Sequence, residues 1–377
     1  MAHRRNIIIV TFLFSAIIAK AQEVTGQSVL KIADKVFSYQ QEHPTNKPFW
    51  EWEYGAYYSG VFDLYRVNPE IKYLKGMVDM GEEYRWSIRP RPYDANVLAI
   101  SHMYLGLYQI LKDPKMIDKT VYCLDAAFDR SPREPDVTFD GNKYWWSWWS
   151  WCDALFMAPP TFALYAKISG EQKYLDKMHE LWMKTHEYLY DKEEQLYFRD
   201  DRFFEMKSPN GKKIFWSRGD GWVMGGLVKV LQVMPEDYKH YPFYLNLYKE
   251  MSKKIMAIQT KEGYWPSNLA DPNHYGGKET SGTAFFCYAL AWGINNGILS
   301  GDDYRQCVLK SWNMLVSCVN EEGMLGYVQQ VGDSPAEILP AHTEAYGSGA
   351  FLMAASEVYK LTLITSRAFC SSSAPRF

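Results

Sequence analysis

The sequence predicts an all-α protein, a single (α/α)6 barrel of about twelve helices. Three observations carry that expectation. Apolar residues recur with helical rather than alternating spacing almost throughout, as in Leu30, Ile32, Ala33, Val36 and Phe37, or Met178, Leu181, Trp182, Thr185 and Leu189. The helical segments fall into pairs, each a helix, a short turn, a second helix and a longer loop, about six times over. Self-similarity at a fixed period, which marks the rival α-solenoid, is absent.

In chain order, the first segment is not part of the barrel. "MAHRRNIIIVTFLFSAIIAKAQ" has a basic head (His3, Arg4, Arg5), an apolar run from Ile7 to Ile18 and a small-residue cut site at Ala19-Lys20-Ala21. That is the pattern of a signal peptide, with cleavage expected after Ala21 and a periplasmic or secreted mature chain. No cysteine follows the cut, which argues against a lipoprotein. Helices are then expected over about 26–42, 54–68, 70–86, 94–112, 114–130, 150–168, 171–190, 218–233, 240–259, 281–297, 301–319 and 345–361. Gly- and Pro-rich connectors punctuate them: "RSPREPDVTFDGNKY" before the sixth, "FEMKSPNGKK" before the eighth and "NLADPNHYGGKETSG" before the tenth. None is long or biased enough to be an interdomain linker, so residues 22–362 are expected to form one domain. The last stretch, "LTLITSRAFCSSSAPRF", loses helical periodicity, and residues 363–377 are expected to be a loose tail.

Composition narrows the partners. Without its leader the chain has a net charge of about −6, which gives it no electrostatic claim on nucleic acid or anionic lipid. The six cysteines show no CxxC or CxH pairing, so neither a structural zinc site nor a cofactor is indicated. Cys307 and Cys318 are the one conceivable bridge, with buried free thiols the plainer expectation. Aromatic residues make up 16%, with 14 Trp and 28 Tyr, a supply that suits either a ring-filled helical core or a groove of apolar flats with polar edges for sugars.

No Ser-His-Asp elbow, phosphate-cradling glycine loop or HExxH is present, which leaves carboxylates and arginines among aromatics. "NKYWWSWWSWCDALFMAPP" places five tryptophans within Trp145 to Trp151 and then Asp153. Asp153 there is either a helix-capping acid or, desolvated by Trp149, Trp151 and Phe156, an acid kept protonated near neutral pH. In "FWSRGDGWVMGG", Trp216 and Trp222 are candidate stacking flats around Arg218, whose fork suits a carboxylate; the alternative pairs Arg218 with Asp220 as a helix cap. "YFRDDRFF" interleaves Arg199 and Arg202 with Asp200 and Asp201, a pattern expected of a solvated hairpin or loop. Two more loops carry Trp265, Glu279, Thr280, His342 and Glu344, with His342 expected to be an ordinary loop histidine.

Together these segments resemble glycoside hydrolase family 105, the unsaturated rhamnogalacturonyl hydrolases. The likeness rests on "WWSWCDALFMAPP", "KYLD", "FWSRGDGWVMGGL", "ETSGTAFFCYALAWGINNG" and "EAYGSGAFLMAASEVYK", in order over nearly the whole mature chain. It implies an (α/α)6 barrel that removes a terminal 4,5-unsaturated uronic acid from oligosaccharides by hydrating the double bond. An aspartic acid protonates C4, water adds at C5, and the hemiketal opens to release the rest of the sugar. Asp153 matches the catalytic aspartate of the family, while Trp216, Arg218 and Trp222 match residues that hold the unsaturated sugar; Trp149 and Arg199 join them as substrate-binding candidates.

One stretch departs from the family pattern. In "RPRPYDANVLAISHMYLGLY" the family typically reads R-P-Y-H-A-D-D-x-A-x-G-Q-x-Y, and this chain has Asp94 at the His, Asn96 and Val97 at the two Asp, and His102 at the Gln. Asp220 also stands where the family turn commonly carries Asn. The candidates for a second polar group are therefore Asn96, Asp94 and Asp220. Three functions remain open on the residues: an exported unsaturated-uronyl hydrolase, a glycosidase on a saturated sugar using a carboxylate pair, and an inactive glycan-binding homologue.

Overall fold

The computed structural model describes residues 24–89, 91, 94–128 and 137–372, with side chains to residue 364; the leader expected over residues 1–21 lies outside them. The helices are α1 (Gly26–Glu42), α2 (Trp52–Val67), α3 (Ile71–Glu83), α4 (Ser101–Leu111), α5 (Asp118–Ala126), α6 (Ala154–Met157), α7 (Pro159–Ser169), α8 (Lys173–Leu189), α9 (Ser217–Leu231), α10 (Tyr241–Ala257), α11 (Thr280–Asn295), α12 (Asp302–Ser317) and α13 (Ala345–Ser372). A two-stranded hairpin, β1 (Tyr190–Asp191) and β2 (Leu196–Tyr197), pairs Tyr190 with Tyr197.

The helices alternate between two rings. α2, α4, α6–α7, α9, α11 and α13 form the inner ring, and α13 packs on α2 to close it. α1, α3, α5, α8, α10 and α12 lie outside. Burial follows the rings: every residue of α9 is buried, whereas α8 buries one stripe, Tyr174, Leu175, Met178, Leu181, Trp182, Thr185 and Leu189. An amphipathic stripe suits a helix that meets the protein on one side only. The seam that closes the barrel needs glycine. A methyl group on Gly60 of α2 would strike the Gly349 carbonyl of α13, and one on Gly349 would strike Ala56.

All twelve expected helical positions are occupied, with three differences. The segment expected at 150–168 is broken at Ala158, because Pro159 and Pro160 supply no N–H and their rings clash with the preceding turn. The segment expected at 94–112 is a 3-10 turn, Ala95–Leu98, followed by α4. The final helix runs on to Ser372 instead of giving way to a loose tail from 363. Cys123, Cys152, Cys287, Cys307 and Cys318 are buried free thiols, so Cys307 and Cys318 are not bridged. Among the described residues no helix is long and apolar enough to cross a membrane.

Candidate active site

Because inner and outer helices alternate in direction, the inner N-termini gather at one rim. Glu53 lies in the first turn of α2, Asn96 in the turn before α4, Asp153 just before α6, Arg218 in the first turn of α9, Glu279 at the cap of α11 and Glu344 just before α13. The positive ends of six helices point into one bowl, a field that favours an anionic ligand.

Asp153 is set by the tryptophan run. Trp145–Trp148 form a 3-10 turn, and Trp149 takes a left-handed backbone with φ of 57° that reverses the chain. A non-glycine residue in that region is strained and must be held by its surroundings. The Thr185 hydroxyl donates to the Trp149 carbonyl at 2.7 Å, Ser150 Oγ donates to the Trp145 carbonyl at 2.8 Å, and the Cys152 N–H donates to the Arg199 carbonyl at 2.9 Å. Asp153 occupies the cap position of α6 but makes no capping bond, so its carboxyl is not used to end a helix. It is 7% exposed. Burial lifts its pKa above the ordinary carboxylate value, against the opposing pull of Arg199 and Arg218.

The Asp153 Oδ2 atom has two neighbours. Arg199 Nε lies 3.4 Å away as an ion-pair contact without a formed hydrogen bond, and the Cys152 thiol donates from 3.6 Å. Arg199 gives its shorter bond to Asp200, at 2.7 Å from Nη1. Asp200 is fully buried and also receives Arg202, through Nε and Nη2 at 2.8 Å each, while the same Nη2 reaches Asp333 at 2.8 Å. Both guanidinium groups lie over the Phe139 ring, at 4.6 and 4.5 Å. "YFRDDRFF" is thus no solvated loop: Arg199 and Arg202 share Asp200, Asp201 accepts the Phe139 and Asp140 N–H groups, and Tyr197, Phe198, Arg199 and Asp200 are buried.

Arg218 differs from its sequence reading. It stacks between Trp216 (4.4 Å) and Tyr346 (4.8 Å), but its fork grips backbone. Nη1 donates to the Gln329 carbonyl and to Tyr346 Oη at 3.0 Å, and Nη2 donates to the Gln330 carbonyl at 3.0 Å. Trp216 Nε1 donates to Gln329 Oε1 at 2.9 Å, so the first turn of α9 fastens the 329–332 segment along the rim. A stacking platform for sugar needs a free face, and Trp149, Trp216 and Trp222 are all buried. Trp149 packs on Phe162, and Trp222 packs among Phe156, Phe285, Trp52 and Tyr346. These three indoles form the wall behind the groove.

The candidates for a second acid separate cleanly. Asp94 caps the 3-10 turn by accepting the Asn96 N–H at 3.1 Å and is 3% exposed. Asp220 is fully buried and accepts the Tyr197 N–H at 2.8 Å; its other oxygen has no hydrogen-bond partner among the described residues. Burial pushes its pKa well up, and the nearby Asp153 carboxyl adds to that. It makes no salt bridge with Arg218. Asn96 alone of the three is half-buried, on a turn packed against α6.

Several site residues carried weaker sequence signals. Trp52, half-buried, stacks on Tyr346 at 5.3 Å and meets Trp222 edge-on at 6.0 Å, which makes it the partly open indole of the bowl. Glu53 beside it is 4% exposed with an unpartnered Oε2, and burial raises its pKa. Their run, "WEWEYGAYY", has the same pattern of acid among aromatics as the Asp153 stretch. Gln329 and Asp333 lie in a loop whose sequence has no distinguishing pattern. Trp265 is core, Glu279 caps α11 through Ser281 and Gly282, and His342 takes the Leu339 N–H within its own loop.

A family model described as Glycosyl Hydrolase Family 88 matches residues 24–362. The chain belongs to that family. Two curated relatives of this family-88 chain have the same name. The unsaturated 3S-rhamnoglycuronyl hydrolase of Formosa agariphila is 41% identical over 342 residues, 87% of this chain and 89% of that protein. That of Alteromonas sp. is 36% identical over 322 residues, 81% and 77%. A solved family-88 glycosyl hydrolase from Bacteroides vulgatus matches with a TM-score of 0.81 at 31% identity, covering 89% of this chain and 99% of its own. Structures described as family 105 share the fold at lower identity. The protein is a glycoside hydrolase of the unsaturated rhamnogalacturonyl and glucuronyl hydrolase group, built as an (α/α)6 barrel.

Proposed function

We propose that this enzyme removes a terminal 4,5-unsaturated uronic acid from rhamnose-containing oligosaccharides, and that Asp153 starts the reaction by protonating C4. The observation that carries the reading is the setting of Asp153: a carboxyl just before α6 at the rim of the inner ring, buried, raised in pKa by that burial and free of any capping duty. A neutral carboxylic acid in such a place is a proton donor. Protonation at C4 leaves positive charge at C5 and the ring oxygen, where water adds; the hemiketal then opens and releases the remaining sugar. The Asn96 amide takes the position of the second acid and orients that water by hydrogen bonding, without charge. The shared name of the two relatives favours a rhamnoglycuronyl substrate over rhamnogalacturonan. The reading of a saturated-sugar glycosidase loses ground, since Asp94 and Asp220 are both enclosed and neither pairs with Asp153 across a bowl.

The test is the loss of ultraviolet absorbance of unsaturated uronyl oligosaccharides, because hydration destroys the chromophore. Asp153→Asn should lower kcat by about 10²- to 10⁴-fold with the fold intact. Activity retained in that variant would remove Asp153 from the chemistry. We further propose export through residues 1–21; a mature N-terminus at Gln22 in the periplasm or medium supports this, and a retained Met1 opposes it.

A further inference from the structure

Asp153 faces an arginine at 3.4 Å, and an unopposed arginine at that distance would strip its proton and disable it as an acid. The charges behind Arg199 answer this problem. Along Asp153, Arg199, Asp200, Arg202 and Asp333, acid and base alternate, with contacts of 3.4, 2.7, 2.8 and 2.8 Å. The two arginines are balanced by Asp200 and Asp333 alone, so the chain is neutral when Asp153 holds its proton and carries one excess negative charge when it does not.

We infer that Asp200 and Asp333 are positioning residues that occupy Arg199 and Arg202 and so keep Asp153 in its proton-bearing form. The geometry supports the assignment at each contact. Asp200 is fully buried and receives four donors: Arg199 Nη1, and the Nε, Nη2 and backbone N–H of Arg202. Arg199 Nε, itself buried, is left without a hydrogen bond opposite Asp153 Oδ2. Asp333 enters from the 329–334 segment, far away in sequence, and its side chain is 46% exposed. The Arg202 bond holds its carboxyl below the ordinary range despite partial burial, so it stays charged. The other titratable or charged groups that act on Asp153 are the Cys152 thiol on its own segment, and Arg218 and Asp220 from α9, Asp220 having its pKa pushed well up by burial. Of these only Arg218 carries a permanent charge, and its fork is committed to the 329–332 carbonyls.

The inference rests on Asp153 being the proton donor, and the experiment keeps the two ideas apart. The pH dependence of kcat/KM on an unsaturated uronyl oligosaccharide is measured for the full-length mature enzyme and for Asp333→Asn, Asp333→Glu and Asp200→Asn. Neutralising Asp333 leaves one uncompensated positive charge, so the alkaline limb should move to lower pH by on the order of half a unit, a relative loss absent well below the limb and levelling off at roughly threefold above it. Asp333→Glu should restore the wild-type limb. Asp200→Asn should move it further in the same direction; because that site is buried, Asp333→Asn at the surface carries the test if the Asp200 variant fails to fold. A purely structural role would lower activity equally at all pH values, and an Asp333→Asn profile parallel to wild type overturns the inference while an inactive Asp153→Asn leaves the proposed function standing. Full activity in Asp153→Asn would instead remove the function on which it rests.

Discussion

Arg199 stands between two carboxylates and divides itself unequally: 2.7 Å from Nη1 to Asp200, 3.4 Å from Nε to Asp153. The nearer partner is fully buried and also bonded to Arg202, and the farther one lies at the rim of the barrel. Position in the bowl and charge balance therefore act together on one proton.

Asn96 lies half-open on the turn that packs against α6, where the family resemblance expects an aspartate. Asn96→Asp would put a second negative charge near Asp153, and like charge disfavours ionisation. The alkaline limb of the kcat/KM profile should therefore rise by about half to one unit. A limb that stays in place would mean that the turn holds residue 96 too far from Asp153 to couple.

Arg218→Met should cost stability as well as activity. It leaves the Gln330 carbonyl without its donor, removes one of two donors to the Gln329 carbonyl, and takes the cation away from half-buried Glu344 and buried Glu279. Hydrogen bonds from a charged donor contribute about 1.5–3 kcal/mol each, so a total loss of about 2–4 kcal/mol is expected in urea unfolding, read as a lower midpoint at unchanged slope. An arginine that served only to bind substrate would leave the unfolding curve in place.

Acid stability should be limited in part by His102. Its ring lies buried among α2 and α4, with Ser59 Oγ 3.4 Å away, and burial followed by the Lys229 charge pushes its pKa down from 6.5 to about 3. The unfolded chain takes up the proton first, so the stability present above pH 6.5 is lost as pH falls towards 3. The loss reaches on the order of a few kcal/mol by about pH 4. His102→Gln has no proton to take up, and its acid-unfolding midpoint should lie below that of wild type. Coincident midpoints would place the acid sensitivity elsewhere, with His179 and His186, both lowered to about 4, next in line.

Much of the architecture was written in local pattern. Leu181, Trp182, Thr185 and Leu189 mark one face of α8 because a helix that touches the core on one side must repeat its apolar residues at the helical period. Pro159 and Pro160 split the sixth position for a reason equally local, since neither supplies an N–H to continue the helix. The tryptophan run before Asp153 marked its surroundings as apolar on composition alone, and the carboxyl is buried.

The sequence by itself determined the mostly helical class and the pairing of helices, because each depends on neighbours within a few turns of chain. Only the tertiary structure decided which charges meet. Arg218, Trp216 and Trp222 sit in a motif that suggested a sugar clamp, yet Arg218 holds Gln329 and Gln330, more than a hundred residues away, and the indoles are enclosed. Asp333 joins Arg202 across 131 positions, and through Asp200 and Arg199 it reaches Asp153. Closing a ring of helices brings six N-termini and their loops to one rim, and contacts made by that closure leave no periodicity in the chain to be read.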